Sequence, residues 1–311
     1  MIAQSFFLRT THLVSTYSIV GYDSSTGDLG VAVQSRYFSV GSVVPWAKAN
    51  VGAIATQAFP NISYGPHGLK LLREGSTVEE VIEKLTSDDK GRESRQLGIV
   101  DAKGNAAAFT GANCLEWAGS KVGKCCSAQG NILVGEEVVG NMVEAFESTK
   151  GDLADRLVVA LEAGEKAGGD ARGRQSAALL VVRENAGPLG YGDRFIELRV
   201  EDNIEPVAEL KRLLRIDHVF TLIGKADSKF EEGDSKGALS SIREALNIDP
   251  NNDEAYLTLG SFYWRIGRTD EAVKTFKKAL SLNQKLTVYL TQFPKLGIPK
   301  LPENLLKELR I

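Results

Sequence analysis

Residues 16–36 constrain the fold of this chain more than any other stretch. Thr16-Tyr-Ser-Ile-Val20 opens a run of β-formers, Asp23-Ser-Ser-Thr-Gly27 supplies turn chemistry, and Leu29-Gly-Val-Ala-Val-Gln-Ser-Arg36 forms a second run. Two such runs joined by a short glycine-bearing turn read as an antiparallel hairpin. Thr16 then stands at the head of the first strand, and Ser35 and Arg36 at the far end of the second. As an interior residue, a threonine there is a β-branched strand starter. As the first residue of a mature chain it becomes a catalyst: the hydroxyl is a nucleophile and its own α-amine, with a pKa of about 7.7–8.0, is the base. Both readings stand on the pattern alone.

Beyond this hairpin the chain divides into two regimes. Up to about Val200 it is strand-rich and punctuated by glycine; after Glu205 it is almost entirely helical. The first regime predicts strands at 16–22, 28–36, 51–58, 95–101, 105–111, 127–133, 177–183 and 194–200, with Asp101-Ala-Lys-Gly-Asn105 as a hairpin turn. Helices are expected at 66–74, 77–86, 136–149 and 152–167, the second capped by Ser76 or Thr77 with Glu79 and Glu80 in its first turn. Blocks of strands and paired helices, without strict βαβ alternation, argue for a layered α+β domain with largely antiparallel sheets.

The helical regime opens at Pro206 with a helix over 206–218 and then repeats itself. Ala226, Ala238, Ile242 and Ala245 recur 34 positions on as Gly260, Ala272, Phe276 and Ala279. Small residues where paired helices touch, at that period, form the tetratricopeptide pattern. Two copies are expected, at about 219–252 and 253–286, in a helical domain covering 206–311. Pro250 closes the first copy, whereas the second has Gln284.

Several polar clusters could carry chemistry. Ser35 and Arg36 lie where a strand meets a loop, and Arg36 could clamp a carboxylate or remain a surface residue. Gln57, Asn61 and Tyr64 follow an apolar strand and offer amide or hydroxyl donors, or ordinary turn chemistry. Gln129-Gly-Asn131 interrupts a strand that is otherwise apolar; its amides form an oxyanion site or satisfy a bulge. Gly168-Gly-Asp-Ala-Arg-Gly-Arg-Gln-Ser176 sets a carboxylate and two guanidiniums between glycines. There Asp170 could orient a nucleophile and Arg172, Gln175 and Ser176 could hold substrate, or the loop is a solvated ion-pair cluster. The loop is no phosphate-binding Walker motif, because the lysine and its spacing are absent.

No cofactor or metal is expected. Cys114, Cys125 and Cys126 make no CxxC pair, and His12, His67 and His218 belong to no metal-binding spacing. A net charge of −3 over 311 residues gives no electrostatic case for nucleic acid or an anionic membrane. No apolar run reaches the roughly 20 residues that span a bilayer. Met1–Ser15 makes a poor secretory signal, since Ser5-Phe-Phe-Leu8 is short and Arg9 and His12 follow it. An odd cysteine count without a disulfide framework leans to a reducing, cytoplasmic setting. The composition leaves room for a homo-oligomer.

Nine ordered segments carry a family resemblance: Thr16–Val20, Gly30–Arg36, Val40–Ala47, Ala55–Phe59, Tyr64–Pro66, Arg95–Asp101, Ala108–Gly111, Gln129–Leu133 and Gly168–Ala178. Over about 16–218 the chain resembles the domain-of-unknown-function family 1028, which looks like a branch of the N-terminal-nucleophile hydrolases. The resemblance implies a four-layer αββα sandwich of two antiparallel sheets over 16–205 and hydrolysis of an amide or peptide-like bond. Residues 1–15 would be a leader lost by autoproteolysis or processing. It places the nucleophile at Thr16; oxyanion donors near Gln129 and Asn131, and Asp170, join it as candidates. Family members often begin at or just after the position of Thr16, with only a Met or a signal sequence ahead of it. The fifteen residues here depart from that; they are a leader, an N-terminal extension or the product of a start codon assigned upstream. The appended repeats resemble tetratricopeptide arrays, which implies a protein partner. A catalytically silent αββα scaffold that recruits a partner through its repeats is the rival reading.

Overall fold

The computed structural model describes residues 16–187 and 190–309. The predicted leader, residues 1–15, lies outside them. Two units are present, one extending to Leu214 and the other beginning at Arg215.

Ten strands build the described residues of the first unit. β1 (Thr16–Tyr22), β2 (Leu29–Ser35), β7 (Gly119–Gly123), β8 (Cys126–Asn131), β9 (Ser176–Val182) and β10 (Arg194–Val200) form a six-stranded sheet ordered β10-β9-β2-β1-β8-β7. β3 (Pro45–Lys48), β4 (Gly52–Ala58), β5 (Arg95–Asp101) and β6 (Ala106–Thr110) form a four-stranded sheet in that order. All pairings are antiparallel. The hairpin read from residues 16–36 is therefore the centre of the larger sheet.

Alternation along β1 assigns its faces. Tyr17 and Ile19 pack in a core with α3 (Glu137–Ser148) and α4 (Leu153–Lys166), whereas Val20 packs between the sheets with Val31, Val33, Ala53 and Ala55. A third core joins Ile54, Leu97 and Ile99 to α1 (Tyr64–Arg73) and α2 (Val78–Ser87). Three cores separate four layers, the αββα sandwich that the resemblance implied. α2 starts on the expected capping box: Thr77 Oγ1 accepts from Glu80 N at 3.3 Å and Glu80 Oε2 accepts from Thr77 N at 3.0 Å.

Two strands had no signal. β3 begins with Pro45 and is partly exposed, and β7 lies between glycines at a sheet edge, so neither shows buried alternation. In the helical regime the helix expected over 206–218 continues as α5 (Pro206–Glu231), because no proline or cap interrupts it before Gly233.

The second unit continues with α6 (Ser235–Ile248), α7 (Asp253–Arg265), α8 (Thr269–Leu282), α9 (Thr287–Thr291) and α10 (Glu303–Glu308). Asp234 caps α6 and Asn252 caps α7. The small repeat positions are buried contact points. A Cβ on Gly260 would lie 2.5 Å from the Phe276 ring, which is itself held against Phe293 at 5.7 Å. Gly260→Leu is therefore expected to cost the helical unit about 2–3 kcal/mol in a denaturant melt. Gly224→Leu, whose Cβ meets nothing within 4 Å, should leave that transition in place.

Candidate functional site

Polar side chains fill one end of the space between the sheets and apolar ones the other. Thr16, Ser18, Ser35, Gln57, Gln96, Gln129 and Asn131 are all fully buried at the Thr16 end. Such groups are tolerated inside a protein only when hydrogen-bonded, and here they bond mostly to one another. Thr16 pairs across the ladder with Ser35 on one side and Asn131 on the other. Its hydroxyl donates to Ser35 Oγ at 3.1 Å.

Three glutamines stitch the sheets together. Gln57 Nε2, on β4, donates to the Thr16 carbonyl at 3.3 Å, to the Gln129 carbonyl at 3.2 Å and to Gln96 Oε1 at 2.8 Å. Ser18 Oγ donates to Gln57 Oε1 at 2.6 Å, and Gln129 Nε2 donates to Ser18 Oγ at 2.6 Å. Gln96 Nε2 donates to the Gly130 carbonyl at 2.7 Å and to Thr110 Oγ1 at 3.0 Å, while Asn131 Nδ2 donates to Gln96 Oε1 at 3.0 Å. Gly98 makes room for this ladder, since a Cβ there would fall 1.9 Å from Gln129 Oε1.

Asp170 sits beside the site and has its own partners. Its carboxylate accepts from the backbone N–H of Arg36 at 3.1 Å and from Arg172 at the backbone N (2.9 Å), Nε (3.2 Å) and Nη2 (2.9 Å). Its backbone also pairs antiparallel with that of Leu133, past the end of β8. Asp170 thus ties together the ends of β2 and β8, the two strands flanking Thr16. Arg36 is exposed and donates through Nη1 to the Arg174 carbonyl at 3.0 Å. Ser176 Oγ donates to the Tyr37 carbonyl at 2.5 Å and accepts from Val40 N at 3.1 Å, closing the turn after β2. Gln175 Nε2 donates to Asp202 Oδ1 at 3.1 Å.

Asn61 and Tyr64 belong to a separate cluster built on Asp89. That carboxylate accepts from Arg95 Nε at 2.9 Å, Tyr64 Oη at 2.8 Å and Asn61 Nδ2 at 3.1 Å. Arg95 also donates to the Phe59 carbonyl at 2.6 Å, so the cluster fixes the loop after Gln57. Burial pushes the Asp89 carboxyl up, but Arg95, Tyr64, Gly91 N–H and Asn61 outweigh it and hold the group well below the usual carboxylate range. Burial and Asp89 together raise the Tyr64 phenol. Asp89 then stabilises the fold fully above its unfolded pKa of about 3.9, and the contribution is lost as pH falls through the depressed folded value. Asp89→Asn is expected to cost about 2–3 kcal/mol at pH 7 and to remove part of the stability decline below about pH 4, read from melts at several pH values.

Ser18, Gln96, Asp89 and Arg95 are participants that sequence reasoning missed. A signal existed for two of them: Ser18 shares a strand face with Thr16, and Gln96 is a polar residue in an apolar strand, as Gln129 is. Cys126 is fully buried on β8. Burial, reinforced by Glu147, pushes its thiol up to about 12.

Residues 16–210 match the profile of a family described as being of unknown function, DUF1028. The chain belongs to the DUF1028 family. A crystal structure of a Silicibacter pomeroyi DUF1028 protein is similar at 35% identity with a TM-score of 0.59, covering 65% of this chain and 88% of that one. Residues 229–289 match a tetratricopeptide repeat profile. No curated protein matches the chain. The DUF1028 match contains every residue of the buried polar layer, and its first position is Thr16.

Proposed function

We propose that the DUF1028 domain is an N-terminal-nucleophile amidohydrolase whose active form begins at Thr16. The observation that carries this reading is the Thr16 hydroxyl at the head of a central strand, turned into a polar layer and hydrogen-bonded to Ser35. In the unprocessed chain Thr16 is fully buried and its nitrogen is an amide, so base and access are both lacking. Removal of residues 1–15 frees the amine.

Thr16 Oγ1 then attacks the substrate carbonyl carbon while the α-amine takes the hydroxyl proton. The C–N bond breaks as that proton passes to the leaving nitrogen, giving an ester on Thr16. Water, deprotonated by the same amine, attacks the ester and restores the hydroxyl. Asn131, the ladder partner of Thr16, is the proposed oxyanion donor. Gln129 donates to Ser18, which favours a bracing role for it. Arg36 would meet an acidic or peptide-like substrate, whereas Arg172 is paired with Asp170, which supports an anchoring role for both.

The test is hydrolysis of small amides and dipeptides by protein beginning at Thr16. The expected kcat/KM rises with pH through about 7.7–8.0, where the amine loses its proton. Activity that survives Thr16→Ala overturns the assignment. The tetratricopeptide match supports a second role for the helical unit, binding a protein partner. Among the described residues no helix is long and apolar enough to cross a membrane. The free Cys114, Cys125 and Cys126 are in keeping with the cytoplasm as the proposed setting.

A further inference from the structure

The two ends of a glutamine amide have nearly the same shape, so its direction is decided by what each end touches. Gln96, fully buried on β5, reaches across to the larger sheet. One end of its amide lies 2.7 Å from the Gly130 carbonyl and 3.2 Å from the Gly119 carbonyl. A backbone carbonyl only accepts, so that end is the nitrogen. The other end, Oε1, is then an acceptor, 3.0 Å from Asn131 and 2.8 Å from Gln57. Both neighbours must turn a nitrogen towards it. Gln57 does so for a second reason, because its Nε2 also meets the Thr16 and Gln129 carbonyls. For Asn131 the choice is made by Gln96, and Nδ2 faces the smaller sheet.

That direction matters at Thr16. Asn131 faces Thr16 across the ladder, and facing residues of an antiparallel pair carry their side chains on the same side. An amide nitrogen has two N–H groups; Gln96 takes one and thereby aims the other. Turned over, the same amide sets its oxygen where the nitrogen stands, and an oxygen repels a developing oxyanion instead of donating to it. We propose that Gln96 is a positioning residue that keeps Asn131 a donor, its own amide being fixed by the Gly119 and Gly130 carbonyls. Gln96 touches no reacting atom and acts through Asn131. The role of Gln96 in turnover rests on the hydrolase reading, whereas the direction of the Asn131 amide rests on the carbonyls alone.

Two measurements separate role from direction. The first is nuclear magnetic resonance of the full chain with its asparagine side chains labelled, the Asn131 amide pair being assigned by its loss in Asn131→Ala. One proton of that pair should be protected from solvent exchange in wild-type protein, and Gln96→Met should remove the protection while the backbone spectrum of β1 and β8 persists. A pair left unmoved by Gln96→Met overturns the inference. So does a wild-type pair that exchanges freely, which decides the matter even if Gln96→Met does not fold. The second measurement is amide hydrolysis by protein beginning at Thr16. Gln96→Met should lower kcat about 10²-fold and leave KM within about twofold, as for an interaction made only in the transition state. Asn131→Ala should fall at least as far. The double variant should fall no further than Asn131→Ala, because Gln96 has nothing to aim once that amide is gone. Losses that multiply overturn the positioning role. An absence of turnover by wild-type protein overturns the hydrolase reading instead, and the exchange of the Asn131 pair still decides the direction of its amide.

Discussion

Thr16→Ala is expected to leave the sandwich folded and to abolish amide hydrolysis, with a fall on the order of 10⁶-fold, the scale seen when a covalent nucleophile is removed. The fold survives because the substitution deletes one buried hydroxyl pair, the 3.1 Å bond to Ser35, at a cost of about 1–3 kcal/mol. The strand ladder through Ser35 and Asn131 uses backbone groups and is untouched. Thr16→Ser is the informative companion, since it keeps hydroxyl and amine on one residue and should retain measurable turnover. Steady-state hydrolysis of an amide substrate, with thermal melts of both variants, checks the pair. A loss of activity that tracked a loss of fold would reduce Thr16 to a packing residue.

Gly98→Val should have the largest effect on stability, about 3–5 kcal/mol, although the residue makes no polar side-chain contact of its own. Its position on β5 lies under the Gln129 amide, where a Cβ would meet Oε1 at 1.9 Å and Cδ at 2.4 Å. Gln129 would have to leave, and Ser18 would lose the 2.6 Å bond that it accepts from Gln129 Nε2. Buried polar groups without partners cost about 1–3 kcal/mol each, and the overlap adds packing strain. A denaturant titration of the full chain measures it. Removing the glutamine as well, in Gly98→Val with Gln129→Leu, should recover part of the loss, because the crowded amide is then gone.

The hairpin at 16–36 was legible because strand chemistry and turn chemistry agree there. The four layers came from the family resemblance more than from periodicity, since strands buried on both faces show no alternation. The 34-residue repeat was visible because helix-contact positions demand small residues at fixed spacing. Less legible was the inter-sheet network. Its members come from β1, β4, β5 and β8, and no local pattern says that Gln57, Gln96 and Gln129 meet. The Asp89 cluster was hidden for the same reason: Asn61 and Tyr64 read as loop donors until the fold brought them to one carboxylate. Asp170 read as a lone acid between arginines, and its bond to the Arg36 backbone spans 134 positions.

The central claim, that Thr16 serves with a free α-amine, is tested most directly by the intact mass of the purified protein. Wild-type protein is expected as a species beginning at Thr16, and Thr16→Ala as a chain still carrying residues 1–15. A wild-type preparation that hydrolyses amides while every molecule retains Met1–Ser15 would contradict it.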